Sequence, residues 1–204
     1  KRCGGVPLLA DKVFVLDEKI TVPRNSFDEC VSYIVRECDV LNTLLGPDPV
    51  AAADLGRATR GAALALKSRV LLYAASTLNN PSGDVAKWLA AANAAKDIIN
   101  SGKFSLNSSF FNVFTTRSNA EVIFAFQRGK TFDLESNLAP VGYLSPNASS
   151  GHISPSQNLV DAYPSANGRA INDPGNTTFN PASPYANRDP RLALTVFTNG
   201  SMWL

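Results

Sequence analysis

Four aromatic side chains, Tyr143, Tyr163, Tyr185 and Trp203, lie in the last part of the chain, interleaved with Asn158, Asn187, Arg188 and Arg191. An exposed aromatic ring offers an apolar face, while amide and guanidinium groups offer planar, two-pronged hydrogen bonding. Together they suit a ligand that carries hydroxyls around an apolar ring face, which is the chemistry of a saccharide. Within this set, Trp203, Tyr185, Asn187 and Arg188 are the expected ligand-binding residues. Trp203, in the closing NGSMWL turn, is the first choice, and its alternative role is packing against another part of the protein. In the motif Asn187-Arg188-Asp189-Pro190-Arg191, Arg188 or Arg191 has an alternative role too, tying loops to backbone carbonyls.

Catalytic chemistry has weaker support. The one histidine, His152, sits in a Ser/Gly loop, and the sequence contains no nucleophile elbow, phosphate-binding loop or His-Glu-x-x-His motif. Glycoside hydrolysis needs two carboxyl groups facing each other, roughly 5–9.5 Å apart. Asp161, Asp173 and Asp189 lie in the loop-rich half, but nothing in their spacing pairs them. Asp161 fits the outer face of a short helix, and Asp189 before Pro190 fits an N-cap. The expectation is a protein that is not an enzyme. No cluster has metal-ligand spacing, and Asp173-Pro174-Gly175-Asn176 reads as a turn, so neither metal nor cofactor is expected. Three cysteines make no disulfide framework. Cys30 and Cys38 lie about 12 Å apart along one expected helix, too far to bond, and read as buried free thiols. Asn-x-Ser/Thr sequons begin at Asn107, Asn147, Asn176 and Asn199; they matter only in a eukaryotic secreted protein.

These loops need a frame, and residues 56–101 provide it as two alanine-rich helices. The first is expected from about Arg57 to Ala75, with Leu66, Val70 and Tyr73 on one face and Gly61, Ala65 and Ser68 forming a narrow small-residue stripe. Gly61 reads as a place where another backbone comes close, and Arg57, Arg60 and Lys67 as a wet side. Pro81 and Gly83 break the chain, and Asp84 caps a second helix over Val85–Ser101 whose inner side carries Trp88, Ala91, Ala92, Ala95 and Ile98 or Ile99. Gly102 occupies the expected left-handed position. Such a hairpin cannot bury both faces alone, so further helices must stack on it.

Upstream, Ser26-Phe27-Asp28-Glu29 reads as a capping box for a helix to about Leu45, and VFVLDEKITV before it as a short strand or an extended entry. Downstream, Phe104, Phe110, Phe111 and Phe114 form either a ligand platform or, more commonly for such a cluster, the cap of a helical core. Glu121–Gln127 and Arg191–Thr198 alternate as short strands. Ser154 and Pro155 open a short helix to about Tyr163, and Asn199-Gly200 makes a turn.

The stretch GRATRGAALALKSRVLLYAAS, with a tryptophan helix ending AAKDIINSGKFSL, resembles the helical core of the SusD/RagB family. NAEVIFAF (119–126), SPSQNLVDAY (154–163), Asn167-Gly168 and NRDPRL (187–192) follow in the order found in that family. The resemblance implies a mainly α, SusD-like fold of tetratricopeptide-like helical hairpins, with a loop-rich region and a few short strands. It also implies a surface glycan-binding lipoprotein of a bacterial outer membrane, with an oligosaccharide ligand and a SusC-like, TonB-dependent barrel as partner. The rivals are a tetratricopeptide-like scaffold that binds protein alone and, more remotely, a carbohydrate-active enzyme. The expected organisation is a helical core over residues 1–127 and a loop-rich, ligand-presenting region over 128–204, rich in Gly, Pro, Asn and Ser. A chain that opens KRCGGVPLL and closes NGSMWL reads as an internal piece of a longer family member, with the lipidated cysteine expected upstream.

With 204 residues, 45% hydrophobic and 18% charged, the chain is expected to fold. Its net charge is +2 with acids and bases interspersed, so there is no field to attract nucleic acid. No apolar run reaches the roughly 18–20 residues that a membrane-spanning helix requires.

Overall fold

A computed structural model describes residues 4–48, 51–139, 151 and 153–202. The chain divides into two compact units, Lys1–Gln127 and Arg128–Leu204.

In the first unit three long helices carry the frame. α1 spans Phe27–Leu44 and opens with the expected capping box. The Glu29 N–H donates to Ser26 Oγ (3.2 Å), and the Ser26 N–H donates to the Glu29 carboxylate (2.7 Å). The Ser26 N–H bond first, then the bond that Ser26 Oγ donates to the same carboxylate (2.9 Å), hold the Glu29 carboxyl below its usual range. α2 spans Arg60–Ala75 and α3 spans Val85–Asn100. α2 packs against both neighbours, so it has no single apolar stripe. The buried residues of all three helices are small: Cys30, Cys38, Ala63, Ala74, Ala75, Ala91 and Ala94. Small side chains let the helix axes approach closely. Both cysteines are free and buried, and burial pushes the Cys38 thiol up, so it stays protonated and unreactive.

The structure moves several residues from their expected places. On the inner side of α3 Ala91, Ala95 and Ile98 lie as expected, but Lys87 and Ala94 stand where Trp88 and Ala92 were expected, and Trp88 is 47% exposed. The Lys87 ammonium reaches from that side to Asp28 on α1 (3.1 Å) and to the Asn79 carbonyl (3.3 Å). Lys67 is likewise not on a wet side; its side chain is mostly covered and donates to Asp39 on α1 at 2.6 Å. Leu66, assigned to the core face, is half exposed. The neighbour of Gly61 is an aromatic ring rather than a backbone: a Cβ there would lie 2.5 Å from Cζ of Phe104.

Side chains stitch the breaks between helices. The start of α2 is held by Asp48, which accepts from the Gly61 N–H (2.7 Å), and by Thr59, which accepts from the Ala62 N–H (3.3 Å). At the break before α3, buried Asn80 donates to the Asp84 carbonyl (2.9 Å) and to the Ala75 carbonyl (3.4 Å). Its own Oδ1 accepts from the Asp84 N–H (2.8 Å). Asp84 then caps α3 as expected, and Gly102 beyond it has φ +62°.

After α3 comes α4, Phe110–Thr115. The short strands expected over residues 121–127 and 191–198 are not formed; no strand occurs among the described residues, and the one isolated bridge joins Ser165 to Arg188. Residues 121–127 run irregularly because Asn119 takes up their first backbone groups: its Oδ1 accepts from the Glu121 and Val122 N–H groups. Residues from 190 form a helix instead, for the reason given below.

The second unit holds α5 (Asp133–Leu138), α6 (Gln157–Ala162) and α7 (Pro190–Thr195). The cap of α6 is Ser156, not Ser154: its Oγ accepts from the Leu159 N–H, and of two serines two apart the later one wins. Val160, Leu192 and Val196 form the core between α6 and α7, with Tyr163 packed against them.

Asn80 satisfies three backbone groups at a buried break, and its loss leaves those groups unpaired. Asn80→Ala is expected to destabilise the first unit by about 1–3 kcal/mol, read as a lowered urea midpoint at constant slope.

Candidate functional site

The candidate site grows out of one buried side chain. Arg188 is only 8% exposed. Its Nη1 donates to the Pro184 carbonyl (2.7 Å), and its Nη2 donates to the Val160 and Tyr163 carbonyls (2.7 Å each). The Phe179 ring lies 5.7 Å from the guanidinium carbon. One planar cation therefore closes the loop 184–188 around itself and ties it to the C-terminal end of α6. A cation suits that place, because the last carbonyls of a helix carry partial negative charge. Nε of Arg188 is buried without a hydrogen-bond partner among the described residues.

The backbone on either side is pinned as well. The Ala166 N–H donates to the Asn187 carbonyl (2.8 Å), and the Asp189 N–H donates to the Pro164 carbonyl (2.9 Å). Between these two bonds Asn187 adopts φ +53°, a left-handed conformation that asparagine tolerates better than most residues. A second hub, Asn176, braces the 165–179 loop. Its Nδ2 donates to Ser165 Oγ (2.8 Å) and to the Ala170 carbonyl (3.0 Å), and its Oδ1 accepts from the Thr178 and Phe179 N–H groups. Sequence reading saw Asn176 only as the end of a turn and as a sequon. The signal that would have found it is an asparagine two residues before Thr178, where its side chain can take the following N–H groups.

On the loop that Arg188 holds, Tyr185 is 46% exposed, and Asn187 is exposed with no side-chain hydrogen bond among the described residues. The structure thus separates the expected ligand residues by role. Tyr185 and Asn187 are presented to solvent, while Arg188 is occupied by carbonyls and acts from beneath. Trp203 lies outside the described residues, as do Tyr143 and His152. Asn158 is exposed on α6, and Tyr163 is partly covered by the small core.

Asp161, Asp173 and Asp189 each have a structural partner. Asp161 accepts from Gln157 Nε2 (2.7 Å), and Asp173 pairs with Arg169 (3.0 Å) and accepts from the Gly175 N–H (2.7 Å). Asp189 caps α7 with Pro190 at its first turn, which is why residues 190–195 coil instead of extending. Asp189 also takes Arg191 in a two-pronged pair, Nε to Oδ1 at 2.9 Å and Nη2 to Oδ2 at 2.6 Å. The Arg191 side chain, then its backbone N–H, lowers the Asp189 carboxyl from 3.8 to about 2. A group held so firmly ionised is the opposite of a general acid. No group of three or more His, Cys, Asp or Glu side chains could hold a metal among the described residues.

Residues 120–204 match the SusD family. The whole chain superposes on solved structures of that kind. A SusD-like protein from Bacteroides fragilis NCTC 9343 is 27% identical over 93% of this chain, with a TM-score of 0.70. The chain is thus similar to the SusD family, in sequence over residues 120–204 and in fold over nearly its whole length. A SusD-like carbohydrate binding protein from the same organism shares the fold, with a TM-score of 0.75 over 98% of this chain at 24% identity. No curated protein matches the sequence. This chain spans 38% and 37% of the lengths of those two structures. The Arg188 loop falls within the matched family segment, and the α1–α3 frame precedes it.

The Asp189–Arg191 pair makes a pH prediction. A carboxyl lowered in the folded state stabilises the fold above its unfolded value of 3.8, and that contribution is lost as pH falls through about 2. Asp189→Asn is therefore expected to melt earlier than the parent at neutral pH. The gap should narrow below pH 3.8 and close near pH 2, followed by far-ultraviolet circular dichroism.

Proposed function

We propose that the protein is a non-catalytic surface receptor that binds an oligosaccharide and passes it to a SusC-like, TonB-dependent barrel in the outer membrane. A lipid anchor on the full-length protein holds it at the cell surface. The observation that carries the reading is the likeness of nearly the whole chain to SusD-like structures, one of them described as carbohydrate binding. The site chemistry agrees with it. Tyr185 offers a ring face and Asn187 an amide, on a loop whose backbone Arg188 holds in place before any ligand arrives. Trp203 is proposed as a second aromatic platform for the same ligand. One ring face and a few hydrogen bonds give micromolar to millimolar dissociation constants, about 4–8 kcal/mol.

A second reading, a tetratricopeptide-like scaffold that contacts protein, draws on a different observation. Phe111 is 56% exposed and Phe114 73%, so these rings neither cap the core of this chain nor sit in it. Such rings fit a protein contact as well as a sugar. The loop aromatics favour the receptor: burial of Tyr185 would have favoured the scaffold, and Tyr185 is half exposed.

Calorimetric titration of the full-length protein against neutral and acidic oligosaccharides separates the readings. A saturable heat with one glycan class, weakened about tenfold (about 1.4 kcal/mol) by Tyr185→Ala with the melting temperature unchanged, is the expected result. No heat with any glycan, together with retained capture of a barrel partner, would establish the scaffold.

A further inference from the structure

The first unit contains a cavity of about 390 Å³ between the start of α2 and the chain that follows α4. Its size is in the range of small-ligand sites, enough for one or two sugar rings. Its floor is apolar and aromatic, with Phe104 and Phe124 among the lining residues. Phe104 is seated on Gly61, where any side chain would strike the ring. The floor is therefore set by a residue chosen for lack of bulk.

The charge around this floor is one-sided. Arg57, Lys103 and Arg117 line the cavity, and Asp48 is the one carboxylate that does so. Asp48 is already engaged, accepting from the Gly61 N–H at 2.7 Å. Arg57 is exposed and shares one nitrogen with Asp54, which leaves further N–H groups of its guanidinium to donate. Arg117 is oriented by Gln127, whose Oε1 accepts from its Nε at 2.7 Å. The Lys103 ammonium has no ion-pair partner among the described residues. Three cations around an aromatic floor, with the local carboxylate neutralised by a helix start, fit a ligand with an apolar ring face and a negative charge.

We infer that this cavity binds an anionic saccharide unit, a sugar ring carrying a carboxylate or a sulfate. The inference rests on the receptor reading and deepens it, making ligand class depend on charge. Lys103 and Arg57 supply the charge-assisted hydrogen bonds, and Phe104 and Phe124 the apolar contact. The preference for charge weakens as salt rises, because the rim cations stand in water.

The test uses the full-length protein and isothermal titration with three probes: digalacturonate, a galactose-6-sulfate disaccharide and neutral galactobiose. At least one anionic disaccharide is expected to bind about tenfold more tightly than galactobiose. That advantage should shrink in Arg57→Gln/Lys103→Gln and in raised salt. Both rim residues are exposed, and an unchanged melting curve certifies the variant. Equal binding of charged and neutral disaccharides, or a charge preference that survives the double substitution, overturns the charged subsite and leaves the receptor reading standing. Silence from all three probes, with a neutral glycan of another class binding through Tyr185, also overturns it. Binding of an Asp/Glu tetrapeptide, but of no saccharide, through Lys103 and Arg57 would make the cavity a peptide site and overturn it too. Failure of every glycan in the wider panel removes the receptor reading itself.

Discussion

A guanidinium buried against three carbonyls does the organising work of the second unit. Arg188 has no carboxylate partner among the described residues; it holds Pro184, Val160 and Tyr163 through their backbone oxygens. In a segment without strands, those oxygens have no ladder to join, and burying them unpaired costs about 1–3 kcal/mol each. A lysine reaches one such oxygen well; the planar fork of arginine reaches several at fixed angles. The loop that carries Tyr185 and Asn187 thus has one defined path.

The same constraint recurs in the first unit, answered by other side chains. Asp48 and Thr59 satisfy the start of α2, Asn80 the break before α3, and Asn119 the turn after α4. The helices themselves meet through alanine, glycine and cysteine. Small contacts bring backbones close but bury little apolar area per residue. Ion pairs from Lys67 and Lys87 to α1 add orientation at the rim of those contacts rather than much stability. What results is a narrow helical frame whose connections are specified by polar side chains.

Much of the frame was legible in the sequence. Capping signals act locally, so the Ser26-to-Glu29 box and the Asp84 cap appear where composition places them. The α-helical class and the SusD-like fold follow from the same runs. Legibility failed where distant partners decide. On α3 Lys87, not Trp88, lies on the inner side and pairs with Asp28 far away in sequence, and Trp88 is half exposed. Alternation in RLALTVFT suggested a strand, but Asp189 and Pro190 start a helix there, and a helix start outweighs a short alternating run with no neighbour to pair with. At the site, Tyr185 and Asn187 are exposed as expected of ligand residues. For Arg188 sequence left two roles open, and the geometry places it on backbone carbonyls. The cationic cavity was not legible, since Asp48, Arg57, Lys103 and Arg117 converge only in the fold.

The most direct test of this account is amide hydrogen exchange on the full-length protein with Arg188→Lys, read beside its glycan affinity. The account predicts that the Ala166 and Asp189 amides, which donate across the loop to Asn187 and Pro164, lose protection. Amides of α1–α3 should keep theirs, and affinity should fall although Tyr185 is intact. Unchanged protection at Ala166 and Asp189, or lost protection with unchanged affinity, would contradict the claim that Arg188 holds the binding loop ready.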